Sequence, residues 1–467
     1  MNATIRALNR FGLGAHVGER RRIDDPRGWL RGQLQGGAPD LSAPVEATPA
    51  AIADAIRAFR AAGQGDQQAR RRLVEIAAAE SHAALTARVT TERPFVERLV
   101  AFWSNHLCVS IGAKVLVAPL AGSYEREAIR PHVLGRFEDM LLASARHPAM
   151  LVYLDNFQSI GPSSRGAKAG GAARGQRGLN ENYARELLEL HTLGVDGGYA
   201  QQDVLELAKI LTGWTVAGLA RQGPMQNANA RPRARRRPMQ IRQDAAEGIG
   251  FAFQELLHEP GSKSVLGQTY GEAGVEEGER AIRAFARHAS TARFIATKLV
   301  THFVADDPPA QAVDRLTRTF RETGGDLRAV ANALVDLQDA WDERHRKFRT
   351  PQDWLIAVLR AFNATEASEN VMPLLRQLRH PLWSPQSPKG FGDKTQEWAD
   401  PDSLLNRAEL ARTVARRMRA QRIDPRTLLD VVDVTASDPL NGFLADNKIP
   451  ADERVALALA GPAFQWR

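Results

Sequence analysis

The chain of 467 residues is poor in cysteine, in long apolar runs and in alternating strand patterns. A single thiol, Cys108, excludes a disulfide framework and a thiolate-rich metal site. Because no run of about 18 apolar residues is present, no membrane-spanning helix is expected. The first residues, MNATIRALNRFGLGAHVGERRR, lack the apolar core of a secretory signal. A cytoplasmic location is therefore expected by default.

Acidic residues are missing from the two most basic stretches. Four basic residues lie between Asp155 and Glu181, and seven arginines lie within 221–242, with no acid among them. Since the net charge is +8, the rest of the chain carries −3. A basic groove on the folded body is not expected. Nucleic-acid or other polyanion binding is expected only through the run Arg231 to Arg237.

Helix starts recur along the chain. At each start, the side-chain oxygen of the capping residue can accept a hydrogen bond from a backbone N–H of the first turn. The proline that follows has no N–H, and an N–H at that position would have no partner within the helix. Strand-like alternation is nearly confined to 250–271, where two short runs flank Glu259-Pro260-Gly261 and suggest a hairpin. We therefore predict an all-α, multi-helix globular domain spanning 1–467, with one small β-hairpin. The predicted starts are Asp25-Pro26, Thr48-Pro49, Asp307-Pro308, Thr350-Pro351, Asp400-Pro401 and Asp424-Pro425.

Two segments interrupt the helical pattern. Residues 160–178 are rich in Gly, Ala, Ser and Arg, and 221–247 are rich in Arg and Pro. Neither segment has the apolar periodicity that would bury enough surface to offset ordering. We predict two disordered insertions, a flexible loop at 160–178 and a flexible insertion at 221–247.

The most informative segment runs from Leu179 to Trp214. Asn180 is a plausible helix cap and Gly194 a plausible stop, so a helix is predicted from about Glu181 to Leu193. Its polar face places Asn182, Glu186 and Glu189 at i, i+4 and i+7, on one narrow seam. Two carboxylates one turn apart can hold a divalent cation or divide acid and base roles. The alternative is a solvated Arg185–Glu189 ion pair with Glu186 at the surface.

Histidines offer further candidates. His106 continues an apolar helix stripe and His191 projects away from Glu186, so a structural role is favoured for both. His302 also lies on an apolar helix face. His258 differs, because it lies at a turn beside Glu259 and Lys263, where a polar cluster is more easily assembled. The sequence has no HExxH, GxSxG, GxGxxG or CxxC signature.

The chain resembles a bacterial family, the domain of unknown function 1800. The resemblance runs from NRFGLGA at residues 9–15 almost to the C-terminus. It is carried by the strings FWSNHL, HPAMLVYLDN, LNENYARELLELHTLGVDGGYAQQDVLELAKILTGW, TARFIATKLVTHFVADDPP, WSPQSPKGFGDKTQEWADPDSLLNRAELA and PAFQWR.

This resemblance implies a largely helical protein whose activity is not established. Members are often encoded beside exported proteins that look like alkaline phosphatases or sulfatases, and many are themselves exported, which makes a periplasmic location the alternative. The chain departs from the family pattern at Ala200, where a threonine is usual, and at His288-Ala289-Ser290, where His-Pro is usual. The motif residues that map here are Asn105, His106, Asn180, Glu181, Asn182, Arg185, Glu186, Glu189, His191, His258 and Lys263.

Three functions follow as hypotheses. The first is an enzyme, with metal-assisted hydrolysis as its reaction, whose catalytic residues are Glu186, Glu189, His106, His258 and Lys263. In that enzyme Asn105, Asn180, Asn182, Arg185 and His191 bind substrate, and Glu186 and Glu189 are the ligands of a divalent metal ion. The second is a non-catalytic partner of a phosphatase- or sulfatase-like protein. The third is polyanion binding through Arg231 to Arg237.

Overall fold

The computed structural model describes residues 2–63, 65–169, 178–219, 248–367, 371–419 and 424–467, without the side chains of 417–419. Helices dominate these residues, accompanied by two two-stranded antiparallel sheets. The predicted all-α class is confirmed. The insertion predicted at 221–247 and the part of the 160–178 loop at 170–177 lie outside the described residues. Within the remainder of that loop, residues 165–169 form a short helix, where Ser164 Oγ accepts a hydrogen bond from Ala167 N.

The described α-helices are numbered in chain order. They are α1 Ala3–Arg6, α2 Pro26–Gln33, α3 Pro49–Ala62, α4 Gln67–Thr90, α5 Pro94–His106, α6 Ala121–Tyr124, α7 Phe137–Arg146, α8 Pro148–Tyr153, α9 Arg165–Ala169, α10 Asn182–Glu186, α11 Gln201–Ile210, α12 Val275–Ala286, α13 Ala289–Phe303, α14 Ala310–Glu322, α15 Leu327–Asp336, α16 Pro351–Ala361, α17 Val371–Gln377, α18 Pro401–Arg419, α19 Pro439–Ala445, α20 Ala451–Ala460 and α21 Pro462–Gln465.

Shorter elements join these helices. The strands are β1 Trp214–Val216, β2 Phe251–Phe253, β3 Lys263–Val265 and β4 Gln268–Tyr270. The π-helical turns are Ala7–Phe11, Glu125–Ile129 and Leu187–Thr192. The 3-10 turns are Glu19–Arg22, Val45–Ala47, Ala118–Leu120, Arg130–His132, Asn156–Gln158, Glu255–Leu257, Gln338–Trp341, Thr395–Glu397 and Pro425–Asp430.

Five of the six predicted helix starts are observed. At each of them the capping oxygen accepts a hydrogen bond from a backbone N–H of the first turn. The start predicted at Asp307-Pro308 is wrong, because α14 begins at Ala310. A second proline, Pro309, follows there, and a residue that precedes proline is disfavoured in the helical region. The double proline therefore delays the helix.

The hairpin exists, but its turn is not where the sequence placed it. Strands β3 and β4 pair across Leu266-Gly267, and both turn residues have positive φ. Two consecutive positive φ angles are typical of the tight turn that matches strand twist. Strand β2 pairs with β1 instead, across the segment 217–250. Glu259-Pro260-Gly261 therefore connects two different sheets.

The core is one continuous hydrophobic cluster, and helix α5 runs through it with almost every side chain buried. Fully buried carboxylates are each neutralised or hydrogen-bonded, as expected where a lone charge would be costly. Glu97 pairs with Arg130 at 2.7 Å, and Glu125 pairs with Arg88 at 3.0 Å. No helix in the described parts of the chain is both long and apolar enough to cross a membrane.

Candidate functional site

The predicted seam lies on α10 and the π-helical turn that continues it to Thr192. Asn180 Oδ1 accepts a hydrogen bond from Asn182 N at 2.9 Å, and Asn180 Nδ2 donates to Leu154 O at 2.8 Å. Asn180 therefore orders the turn that precedes α10 and tethers it to the core, while Glu181 is the cap residue of the helix. The π turn is closed by Thr192, whose hydroxyl donates to Leu187 O at 2.6 Å. Gly194, at φ +88°, ends the helical segment close to the predicted position.

Glu186 and Glu189 are both half-buried on this helix. Glu189 accepts a hydrogen bond from the Tyr199 hydroxyl at 3.2 Å. Glu186 makes no hydrogen bond or ion pair with any described residue. Burial raises the pKa of Glu186, and the neighbouring charge of Glu189 raises it further, whereas Arg185 lowers it. This carboxyl group can therefore hold a proton closer to neutral pH than an ordinary glutamate does.

The Arg185–Glu189 ion pair of the alternative hypothesis is not formed among the described residues. Arg185 donates to Gln201 Oε1 at 2.7 Å and lies 3.5 Å from Glu181 Oε2. Its guanidinium is thus directed toward the N-terminal turn of α11 rather than along the seam. Asn182 is exposed, and its backbone N–H is the group that Asn180 caps. The seam consequently keeps its two carboxylates without a neutralising arginine.

The ring of His106 contacts the backbone of His191. His106 Nε2 lies 3.1 Å from His191 O, and both side chains are 1% exposed. The His106 ring stacks on Phe102 and contacts Phe294 of α13 at a centroid distance of 6.0 Å. Burial lowers the pKa of His106, and it lowers that of His191 to about 3. Both imidazoles are therefore neutral, and the His106 ring joins α5 to the π turn and to α13.

Lys298 stands beside these histidines without a partner. Its Nζ lies 5.6 Å from the centroid of the Phe294 ring, and no described residue gives it a hydrogen bond or ion pair. Burial lowers its pKa. The other buried or half-buried lysines each meet a carboxylate, namely Lys114, Lys209, Lys263 and Lys347.

His258 and Lys263 belong to a separate, closed cluster around Glu277 of α12. His258 Nε2 lies 3.1 Å from Glu277 Oε2, and Lys263 Nζ lies 3.2 Å from the same carboxylate. Lys263 also donates to Glu259 O at 2.5 Å, while His258 Nδ1 lies 2.9 Å from Thr212 O. All three side chains are at most 6% exposed. The cluster joins the β3–β4 hairpin to α12.

Asn105, the neighbour of His106, clamps the loop 387–393. Its side chain donates to Phe391 O and accepts from Phe391 N, both at 2.8 Å. Gly390 fits against the end of α5 because it has no side chain, since a Cβ there would lie 2.4 Å from Asn105 O. The Cys108 thiol donates to Pro388 O at 3.2 Å. Burial raises the pKa of this thiol to about 12, so it is not an activated nucleophile.

A cavity of about 70 Å³ lies between α5 and this loop, room for a few water molecules. Its lining includes Asn105, Cys108, His302, His380 and Asp393. His302 Nδ1 donates to Asp393 at 2.7 Å, and its Nε2 lies 3.4 Å from Arg98. Because an arginine can only donate, this nitrogen accepts, which fixes the tautomer with the proton on Nδ1. The ring nitrogens of His302 in the cavity wall therefore already have partners within the protein.

The structure therefore divides the predicted residues. Glu186 on α10, Glu189 and His191 on the π turn that continues it, and His106 at the end of α5 lie on three elements in contact. Asn105 precedes His106, but its side chain binds Phe391, and His258 and Lys263 lie in their own cluster. Within the described residues, no group of three or more His, Cys, Asp or Glu side chains is arranged to hold a metal ion. Two neighbouring carboxylates, one of them bonded to a tyrosine hydroxyl, can instead transfer protons.

Sequence reasoning missed Lys298, Tyr199 and Glu277. A signal existed for Lys298, which falls one helical turn after Phe294 and one before His302. Glu277 carried no local signal, because its partners lie 14 and 19 positions away.

These features define an all-α protein with a buried central helix, α5, and two half-buried carboxylates on the helical segment that contacts its end. The profile of the family described as "Protein of unknown function (DUF1800)" matches residues 6–466, and the chain belongs to that family. No curated protein matches the chain. No solved structure matches it either.

Proposed function

We propose that this protein is a hydrolytic enzyme in which Glu186 and Glu189 divide the acid and base roles. The observation that supports this proposal is the half-buried Glu186 carboxylate, which has no partner among the described residues. The fully buried carboxylates of the same chain are paired or hydrogen-bonded, so a structural glutamate at this position would be expected to have a partner. An unneutralised pair of carboxylates costs stability and is typical of a site kept for chemistry.

The two groups suit different roles. A protonated Glu186 can donate to the oxygen of a leaving group, because its pKa is raised by burial and by Glu189. Glu189 is oriented by the Tyr199 hydroxyl and can accept a proton from an attacking water. The same two carboxylates are the ligands expected if the reaction uses a divalent cation, and a titration of the protein with Mg²⁺, Mn²⁺ and Zn²⁺ separates the two routes.

Hydrolysis of a panel of 4-nitrophenyl esters, including acetate, phosphate and sulfate esters, tests the proposal between pH 5 and 9. We expect Glu186→Gln to lower the rate about 100-fold or more, since general acid catalysis contributes about 10²–10⁴-fold. Glu206→Gln, which breaks an ion pair on the neighbouring α11, should leave the rate unchanged. Equal loss in both variants, or wild-type hydrolysis that Glu186→Gln does not change, would refute the proposal.

A carboxyl pKa measurement by ¹³C NMR tests the same proposal without a substrate. We expect one glutamate to titrate above the ordinary range and its signal to be missing from Glu186→Gln. If every glutamate of the wild type titrates in the ordinary range, Glu186 has no special acid–base character and the proposal fails.

A second candidate function is non-catalytic docking of a partner, such as a phosphatase- or sulfatase-like protein. It is favoured by Leu405 of α18 and Leu457 of α20, which are 60% and 54% exposed on helices that pack against each other. In a docking protein, Leu405→Glu with Leu457→Glu would abolish complex formation, and Glu186→Gln would change nothing. The third hypothesis, polyanion binding through Arg231 to Arg237, concerns residues outside those described.

A further inference from the structure

The cavity beside α5 brings together segments that the acid–base proposal does not use. Its lining comes from α5, from His302 of α13, from the first turn of α16 and from residues 380–393. Three of the strings that carry the family resemblance, FWSNHL, TARFIATKLVTHFVADDPP and the one that begins WSPQSPKGFGD, contribute to it.

Three donors in this lining have no partner among the described residues. Arg98 uses Nε on a backbone oxygen and Nη1 on Asp353, which leaves Nη2. Gln352 Oε1 accepts from Arg88, so its amide nitrogen is the unpartnered end. His380 Nδ1 accepts from Gln352 N at 3.4 Å, so the neutral ring carries its proton on Nε2. Arg88 Nε also lacks a partner, but it has almost no accessible surface.

Two carboxylate oxygens in the same lining are also unpartnered. Asp353 is bound through Oδ2 by Arg98 at 3.1 Å and by Arg467 at 3.4 Å, and Asp393 is bound through Oδ1 by His302 at 2.7 Å. Neither Asp353 Oδ1 nor Asp393 Oδ2 accepts a hydrogen bond from a described residue. Because two arginines and two aspartates line the cavity, their charges balance. A neutral polar ligand is therefore favoured over an ion.

Aromatic contacts give these groups a fixed geometry. The His380 ring stacks on Trp398 at a centroid distance of 4.7 Å and contacts Phe391 at 4.1 Å. Asn105 binds both the N–H and the carbonyl oxygen of Phe391. Phe391 and Phe102 add apolar surface to the lining. Aromatic walls with a few fixed polar groups are typical of small-molecule sites.

Hydroxyl groups match this set of donors and acceptors. Each hydroxyl donates one hydrogen bond and can accept two, so an adjacent pair offers two protons and four lone pairs. A primary amide also offers two protons, but its oxygen has only two lone pairs for the three donors. The volume of about 70 Å³ admits a few water-sized groups. The rest of a larger ligand must extend outward, past partly exposed lining residues such as Ala101 and Gly392.

We propose that this cavity binds two adjacent hydroxyl groups of a carbohydrate or another polyol. The hydroxyls accept hydrogen bonds from Arg98, Gln352 and His380 and donate to Asp353 and Asp393. Unpaired polar atoms of this kind bind water in solution, and ligand hydroxyls replace that water with equivalent hydrogen bonds. The site does not depend on the proposed acid–base function.

Saturation-transfer difference NMR of the full chain with glycerol, erythritol, glucose and mannose tests the site. We expect saturable binding of at least one of these four compounds. 1,3-Propanediol, whose hydroxyls are not adjacent, acetamide and acetate should not bind at the same concentrations. Tighter binding of a sugar than of glycerol would identify the ligand as a carbohydrate, and the reverse order would identify a small polyol.

Two variants test the location. His380→Phe removes the Nε2–H donor but keeps an aromatic ring against Trp398, and it should weaken binding about three- to tenfold. Ala101→Phe retains all the polar groups of the cavity but fills its space, and it should abolish binding. His82→Phe is the matched control, because His82 is partly exposed and makes no hydrogen bond or ion pair with described residues.

The outcomes separate this site from the acid–base proposal. Absence of saturable polyol binding by the wild type, equal binding of 1,3-propanediol, or binding that a folded Ala101→Phe protein retains would overturn the polyol site. Circular dichroism of each variant distinguishes lost binding from lost folding. Glu186→Gln should bind polyols as the wild type does, so lost hydrolysis in that variant concerns the acid–base proposal alone.

Discussion

Two regions of this protein treat their charged side chains in opposite ways. Around Glu277, the His258 ring and the Lys263 amine lie 3.1 and 3.2 Å from the same carboxylate, and all three side chains are shielded from solvent. Glu186 and Lys298, on two different helices, are each half-buried, and neither has an ion-pair partner among the described residues. The Glu277 cluster satisfies its charges internally, whereas Glu186 and Lys298 do not form ion pairs within that part of the chain.

This difference shows how to separate structure from function in a chain of unknown activity. A buried ion pair is costly to break and stabilises the fold only while complete. An unpaired charge lowers stability and is retained where a ligand or a reaction uses it. Loss of a charge should therefore destabilise the protein at the Glu277 cluster and should not do so at Glu186 or at Lys298.

The largest expected effect is at the closed cluster. Glu277→Ala leaves the Lys263 ammonium buried without a carboxylate, so we expect a loss of about 3–5 kcal/mol in the free energy of unfolding. Urea unfolding of the variant and of the wild type measures this loss of stability. Glu279→Ala, on the same helix, breaks a partly exposed pair with Arg146 and should cost less than about 1 kcal/mol. Equal costs in the two variants would remove the distinction between the clusters.

Acid should act next most strongly, through the neutral histidines beside the site. The pKa of His191 is lowered from 6.5 to about 3. Between these two pH values the unfolded chain binds a proton at this residue and the folded chain does not. The stability therefore falls as the pH drops below about 6.5, by about 2 kcal/mol at pH 5 for this residue. We expect His191→Gln to remove that part of the difference between unfolding at pH 7 and at pH 5. A wild-type-like difference in the variant would contradict the assignment.

Removal of the free amine should stabilise the fold. Lys298→Met abolishes an unpaired charge, and we expect a gain of about 1 kcal/mol at pH 7. Since the folded-state pKa of Lys298 is lowered, the gain should be complete below that pKa and vanish above the ordinary value of 10.5. Lys347→Met is the matched comparison, because Lys347 is buried and paired with Asp306, and its loss should destabilise. A destabilised Lys298→Met would show that the amine is structural.

The smallest effect is expected at the two carboxylates. Glu186→Gln with Glu189→Gln should leave the helical circular dichroism unchanged and shift the free energy of unfolding by less than about 1 kcal/mol. Because the folded-state pKa of Glu186 is raised, any gain should appear at neutral pH and disappear below the ordinary value of 4.5. A loss of stability comparable to that of Glu277→Ala would show that Glu186 and Glu189 have a structural role, as Glu277 does.

Local chemistry made part of this structure predictable from the sequence. The caps at Asp25 and Thr350 and the helix between Asn180 and Gly194 depend on neighbours a few positions away. The hairpin turn at Leu266-Gly267 was missed because Glu259-Pro260-Gly261 has the more obvious turn composition. Sequence spacing also favoured an Arg185–Glu189 pair, but Gln201 and Glu181 compete for that guanidinium.

The rest of the site could not be predicted because its contacts join distant segments. Lys298 is singled out by the absence of a partner, which no local pattern reveals. The neutral state of His106 follows from burial beneath the π turn, and its contact with His191 spans 85 positions. The Glu277 cluster likewise depends on the packing of α12 against the hairpin, which no local sequence pattern predicts.

The clamp between Asn105 and Phe391 joins residues 286 positions apart. Closing so long a loop is entropically unfavourable until both segments have docked on the core, and contacts of such separation form slowly. Lys389 therefore reaches the end of α5 only after the N-terminal and C-terminal parts of the chain have come together. Hydrogen exchange during refolding should protect Phe391 N–H later than the amides of α5, so this amide would report completion of the native topology.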